Sequence, residues 1–95
     1  MPGYFIARIA VRDPEAYEAY RAKAMATTEK YGGRYLVRGG ETELREGSWT
    51  GRTVVIEFPD LATARAWYEF PEYQAILPFR LVASQGDAIL VEGVR

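Results

Sequence analysis

The chain contains no cysteine and no histidine. The first absence excludes disulfides, thiolate nucleophiles, cysteine-held iron–sulfur clusters and thiol redox chemistry. The second removes the commonest general base at neutral pH and the commonest metal and haem ligand. An excess of charge of one sign is lacking too: 12 Lys plus Arg against 13 Asp plus Glu leave a formal net charge of -1, so no global field draws in nucleic acid or an anionic lipid surface. No apolar run approaches the roughly 18 residues a membrane span requires, and Met1-Pro2-Gly3 opens without a basic leader and apolar stretch. The expectation is a cytoplasmic protein with neither nucleic-acid nor membrane partner. The acids show no metal-ligand spacing, so no metal site and no resident cofactor is expected. Chemistry is left to carboxylates, Tyr, Arg, Lys23, Lys30, a hydroxyl or a borrowed cofactor.

What remains is ordinary in all but one respect. The 95 residues suit one domain spanning 1–95, with 48% hydrophobic and 26% charged residues. Seven Tyr, four Phe and two Trp exceed what a small core needs, which points to a lined cavity or an interface.

Tyr4 to Val11 alternates as a first strand, and Asp13-Pro14-Glu15 then carries the cap, proline and acid of a helix start. The helix should run over 14–31 with Tyr17, Tyr20, Ala24 and Tyr31 near one stripe, ended by Gly32-Gly33. Arg34 to Arg38 reads as a second strand, and the polar segment to Gly51 as a long hairpin loop. Its acids Glu41, Glu43 and Glu46 and the lack of a Lys-Ser/Thr ending argue against a phosphate loop. Arg52 to Phe58 gives a third strand. Asp60 caps a second helix with Leu61, Ala64, Trp67 and Tyr68 on its inner side, Glu72 to Leu77 forms a short helical stretch stopped by Pro78, and Ala88 to Glu92 is the last strand. Strand, capping Asp, helix, strand occurs twice, which is the α+β, ferredoxin-like β-α-β-β-α-β plan with a four-stranded antiparallel sheet.

Alternation assigns Phe5, Ala7, Ile9, Tyr35, Val37, Val54, Ile56, Phe58, Ile89 and Val91 to the face under the helices. The opposite face receives Ile6, Leu36, Val55 and Leu90 among Arg8, Arg38, Glu57 and Glu92. Burying four large aliphatics is worth several kcal/mol at about 25 cal/mol per Å², and the chain has no third layer to cover them. A second copy related by a two-fold axis is the economical cover, giving a homodimer, with Trp49 of the hairpin packing across the axis.

Several stretches, in order, resemble a known family: Gly3-Tyr4, Tyr31-Gly32-Gly33, Arg38-Gly39-Gly40, Glu46-Gly47, Ile56-Glu57-Phe58-Pro59, Ala66-Trp67-Tyr68, Pro71-Glu72-Tyr73-Gln74, Arg80 and Val91-Glu92-Gly93. Together they are similar to the bacterial family catalogued as domain of unknown function 1330, within the dimeric α/β-barrel superfamily. The resemblance implies a ferredoxin-like fold, a homodimer whose two sheets close into a barrel, and no established activity. Superfamily relatives include cofactor-independent monooxygenases, lactone isomerases and haem enzymes that use a histidine, a residue this chain does not have.

Candidate site residues follow. Glu57, mid-strand on the face assigned to the barrel, reads as the partner of Arg8 in a structural ion pair, as a ligand contact or as a general base. Trp67, Tyr73 and Arg80 read as an aromatic wall with one guanidinium, suited to a planar or carboxylated ligand, although Trp67 at helical spacing also fits plain core. Arg38 caps the barrel mouth or binds an anion. Tyr17, Tyr20 and Tyr35 read as core with polar tips that reach the same layer. Three functions stay open: a dimer binding a small molecule in a pocket near Tyr73, Arg80, Trp67 and Glu57; a cofactor-free oxygenase or isomerase moving a proton with Glu57 or a tyrosine; and a purely structural or interaction dimer.

Overall fold

The computed structural model describes residues 1–94. Strand β1 (Gly3–Val11) leads into helix α1 (Pro14–Lys30), followed by β2 (Arg34–Arg38), β3 (Arg52–Phe58), α2 (Leu61–Glu69), α3 (Pro71–Ala83) and β4 (Ser84–Glu92). The four strands form one antiparallel sheet in the order β2-β3-β1-β4, with the helices on one face. The ferredoxin-like α+β plan is the observed fold. Among the described residues no helix is long and apolar enough to cross a membrane.

Both capping aspartates act as their positions suggest. Asp13 Oδ1 accepts from Ala16 N at 3.2 Å, and Asp60 Oδ1 from Thr63 N at 2.7 Å, so each satisfies an otherwise orphaned amide of a first turn. Tyr17, Tyr20, Ala24 and Thr28 form the buried stripe of α1, while Tyr31 becomes the half-buried C-cap residue. Gly3 is required by packing. A Cβ there would lie 2.5 Å from Leu61 Cα, so only glycine lets the start of α2 seat on β1.

Cross-strand register fixes the two faces of the sheet and corrects part of the expected assignment. Phe5 lies opposite Ile56 and Leu90, and Ala7 opposite Val54 and Ala88, so Leu90 belongs to the helix side. Ile6 lies opposite Val55 and Ile89, and Tyr4 opposite Val91, which places Ile89 and Val91 on the open face. Their β-branched chains look like core in isolation, but only pairing sets the phase of an antiparallel edge strand. A shift in pairing between Tyr35 and Val37 flips the end of β2 as well: Val37 pairs with Val55 on the open face, and Arg38 with Val54 on the helix side. Glu92, opposite Gly3, also leaves the open face to which alternation assigned it.

The reading of Pro78 as a stop is overturned. Helix α3 continues through it to Ala83 because Ile76 and Leu77 before the proline and Arg80 and Ala83 after it all bury. One hydrogen bond, to the carbonyl of Gln74, is forfeited. Ser84 Oγ donates to Arg80 O at 2.6 Å and the amides of Arg12 and Asp13 donate to Ala83 O, so the helix end is satisfied and β4 starts directly at Ser84 instead of Ala88.

The open face carries Ile6, Val37, Val55, Ile89 and Val91, one apolar residue more than expected, with Val37 39%, Val91 39% and Ile89 56% exposed. Trp49 stands over part of it, lining with Ile6, Arg8 and Ile89 a depression of about 210 Å³, and its Nε1 donates to Thr53 Oγ1 at 2.9 Å.

Pro78 is solvent-exposed, so replacing it with alanine restores an amide donor with little loss of packing. Pro78→Ala is expected to raise stability by about 1–3 kcal/mol in urea unfolding. A loss of stability would show that α3 does not run on as one helix.

Candidate ligand site between helices and sheet

The centre of the helix layer is aromatic. Trp67, 1% exposed, meets Phe5, Phe58 and Tyr73 with ring centroids 5.2, 5.1 and 4.3 Å away, and Tyr68 closes the group at 6.1 Å. Its Nε1 donates to Thr27 Oγ1 at 3.2 Å, which ties α2 to α1. This density leaves Trp67 no free face, so its place is the core.

Beside that cluster the layer turns polar. The hydroxyls of Tyr20 on α1 and Tyr73 on α3 share a 2.6 Å hydrogen bond, and the Arg80 guanidinium lies 5.9 Å from the Tyr20 ring centre. Arg80 is 5% exposed, and its Nε has no hydrogen-bond acceptor. From the sheet, Arg52 at the head of β3 places its guanidinium 5.5 Å from the Tyr17 ring, and its buried Nε is equally unpartnered. Tyr17 and Tyr20 stand 5.6 Å apart between these two cations. At the rim, Arg38 lies 5.3 Å over Tyr35 and reaches Met25 Sδ at 3.4 Å.

Tyr17, Tyr20, Arg21 and Ala24 of α1 and Tyr35 and Arg38 of β2 line a narrow cleft between α1 and the sheet, floored by Phe5, Ile9, Val54 and Ile56; Arg52, Tyr73 and Arg80 lie outside its lining. Its free volume is about 20 Å³, room for one water molecule.

The protonation states follow from burial. Loss of solvent pushes the hydroxyls of Tyr17, Tyr20, Tyr35 and Tyr73 above their ordinary range; the nearby arginines only partly oppose this for Tyr17, and Tyr73 itself adds to the rise at Tyr20. All four are neutral hydrogen-bond donors at physiological pH. Burial works against the charge on Arg80, but the hydroxyls of Tyr73 and Tyr20 outweigh it and the guanidinium keeps its proton.

Glu57 is elsewhere. It points to the open face, where Oε1 accepts from Arg34 Nε at 3.0 Å and Oε2 from the Tyr4 hydroxyl at 3.2 Å. The expected Glu57–Arg8 pair does not form: Tyr4, not Arg8, lies opposite Glu57, and Arg8 four residues on pairs with Asp87 and donates to Thr50 Oγ1 at 2.7 Å. A shallow groove of about 550 Å³ beside Glu57 is lined by Met1, Pro2, Gly32, Arg34, Phe58 and Pro59.

The four side chains expected around one pocket are therefore separated. Tyr73 and Arg80 sit together behind Tyr20, outside the lining of the cleft, Trp67 packs on Tyr73 in the core, and Glu57 is across the sheet. Arg38 joins the cleft through the β2 irregularity, and Arg8 does not. Arg52 was missed by sequence reasoning. Its signal was parity: it shares the phase of Val54, Ile56 and Phe58, so a charge there falls on a core position.

Known proteins place the fold in context. Residues 2–94 match the family described as Domain of unknown function (DUF1330). No curated protein matches the chain. A Rhodopseudomonas palustris protein of unknown function, RPA0582, superposes with a TM-score of 0.76 at 22% identity, over 99% of this chain and 83% of that one. SnoaB from Streptomyces nogalater, a cofactor-independent oxygenase, gives 0.63 at 18% identity over 99% and 94%. A dimeric ferredoxin-like protein of unknown function from Jannaschia sp. CCS1 gives 0.68 at 12% identity over 98% and 100%.

Two outcomes test the tyrosine layer. Tyr20→Phe leaves the Tyr73 hydroxyl without its partner and should destabilise the protein by about 1–2 kcal/mol in denaturant unfolding. Because folding raises these hydroxyls above the ordinary value of 10.0, the folded chain holds protons that the unfolded chain releases, so stability is fully present below pH 10 and lost above it. Thermal melts should fall steeply above pH 10; a flat profile to pH 11.5 would contradict the burial described.

Proposed function

The chain belongs to the DUF1330 family, and we propose that it works as a homodimer, closed over the open sheet face, that binds a small molecule in the cleft of each subunit. The observation that carries the binding half is the buried polar group behind the cleft wall at Tyr20: the Tyr20–Tyr73 hydroxyl pair beside an Arg80 guanidinium that is 5% exposed and has no acceptor on Nε. A folded chain rarely leaves such a group unpartnered without a reason in function. The dimer half rests on Ile6, Val37, Val55, Ile89 and Val91, an apolar sheet face that no helix of this chain covers. Two copies of that face stacked about 10 Å apart make an ordinary two-sheet core. The cytoplasmic setting expected from the sequence is kept as part of the proposal.

The cleft must widen for any ligand larger than water. Arg38 and Tyr35 are the side chains suited to move, since Arg38 is exposed and held by a sulfur contact and ring stacking alone, and Tyr35 is only half-buried.

A second reading, a cofactor-independent enzyme, draws support from the same hydroxyl pair. Two neutral donors beside a cation are arranged to stabilise negative charge developing on a substrate oxygen. The tyrosines serve there as acids or donors, since a phenol is protonated at neutral pH and burial raises it further. Glu57 is a poor base for that site, being on the other face with both oxygens engaged.

Sedimentation at micromolar concentration should give a dimer, and Ile89→Asp should convert it to a folded monomer. A wild-type monomer overturns the dimer. Hits from a fragment screen, mapped by amide chemical shifts, should cluster on Tyr17, Ala24, Tyr35 and Val54. Hits confined to the open face, or none at millimolar concentration, would leave the structural-dimer reading in its place.

A further inference from the structure

We propose that Met25 is an oxidation site that latches the cleft: a peroxide turns its thioether into a sulfoxide, whose oxygen then holds Arg38 at the cleft mouth. The effect on ligand entry rests on the cleft reading above, whereas the modification and the hold on Arg38 do not.

Sulfur chemistry in this chain is confined to two methionines, because there is no cysteine. Met1 is the terminal residue and 55% exposed. Met25 is half-buried on α1, next to Ala24 and one turn on from Arg21, both of which line the cleft. It belongs neither to the buried core nor to the half-buried apolar residues packed against that core. A sulfoxide, polar where the thioether is apolar, disrupts a core that contains it. At this position it leaves the core packing intact.

What the sulfur touches gives its oxidation a consequence. Arg38 Nη1 donates to Met25 Sδ at 3.4 Å, and thioether sulfur is a weak acceptor. Among the described residues this guanidinium has one further partner, the Tyr35 ring 5.3 Å away, and no ion pair. A sulfoxide oxygen is a strong acceptor, and a hydrogen bond from an ionised donor is about twice as strong as one between neutral groups. The contact is therefore loose when reduced and firm when oxidised.

The step is a two-electron oxygen transfer. The sulfur lone pair attacks one peroxide oxygen, the O–O bond breaks as the S–O bond forms, and the departing hydroxide takes the proton of the transferred oxygen and leaves as water. Sulfur is oxidised and the peroxide reduced; methionine sulfoxide reductases reverse the change.

Position makes the latch matter. The irregularity in β2 turns Arg38 to the helix side, where it lines the cleft with Tyr35. These two side chains are the ones suited to move when a gap of about 20 Å³ admits more than a water molecule. A firm bond from Arg38 to α1 ties β2 to that helix across the mouth and opposes the widening.

The intact protein is treated with hydrogen peroxide, and peptide mass spectrometry locates the added oxygen. Met25 should take up one oxygen. The guanidinium protons of Arg38, followed by arginine side-chain NMR, should then exchange with solvent about tenfold more slowly, the scale of one hydrogen bond from a charged group. Met25→Leu, which keeps the bulk and removes the sulfur, should abolish the slowing although Met1 is still oxidised. Phenol, a flat neutral probe matched to the aromatic walls, should shift the amides of Tyr17, Ala24, Tyr35 and Val54 at severalfold lower concentration in the reduced protein than in the oxidised one. Resistance of Met25 to peroxide at doses that oxidise Met1, or unchanged Arg38 exchange in the Met25 sulfoxide, would overturn the proposal. Equal phenol binding by the two forms would overturn the latch even with Arg38 slowed. Absence of phenol binding in either form, with Arg38 slowed, would remove the cleft reading and leave the oxidation site standing.

Discussion

The register of β1 against its two neighbours is the constraint on which the rest of the structure depends. With Phe5 opposite Ile56 and Leu90, and Ala7 opposite Val54 and Ala88, one side of the sheet becomes the floor of the helix layer. A shift of one residue would move every side chain to the other face. The same register delivers Arg52 and Arg38 to the helix side of the sheet and Glu57 and Arg8 to the open side, so it sorts the charged side chains as strictly as the apolar ones.

A guanidinium inside a helix layer needs compensation, and the chain supplies it piecemeal. Arg80 has the Tyr20 ring and the hydroxyls of Tyr73 and Tyr20; Arg52 has the Tyr17 ring. Phenols are neutral at physiological pH and burial pushes these further from ionising; they remain buried because they pack: Tyr73 against Trp67, Tyr20 against Tyr17. Stability and the proposed function thus draw on the same aromatic surplus. That explains an interior with tyrosines at positions where leucine or phenylalanine would pack with less polar strain.

Much of the fold was legible in the residues. Asp13 and Asp60 mark helix starts because an orphaned amide needs an oxygen three residues back, a local demand that sequence can state. Strands β1 and β3 alternate cleanly because both their neighbours and their helix layer read the same phase. The misreadings came where a distant partner decides. Pro78 ends a helix by local rules, but the burial of Leu77, Arg80 and Ala83 holds α3 together across it. Ile89 and Val91 look like core until β1 sets their phase, and the irregularity at Tyr35 to Val37 inverts Arg38 with no sign in the strand itself. The candidate site suffered most. Tyr73 and Arg80 were grouped across an expected break at Pro78 and lie seven positions apart on one continuous helix, whereas Glu57 was grouped with them although its parity already placed it across the sheet.

The separation of the two faces has a consequence for how the molecule would work. Val55 and Glu57 project from β3 to one side, and Arg52, Val54 and Ile56 to the other, so the proposed dimer surface and the proposed ligand cleft share a strand without sharing a side chain. Stacking two open faces restrains β3 from behind while its inner face meets the ligand. A rigid floor of this kind favours a fixed binding surface, leaving adjustment to Arg38 and Tyr35 at the rim. On this arrangement association of subunits would pre-organise the cleft without contributing a residue to it, and the gain would appear as tighter binding by the dimer rather than as a new contact.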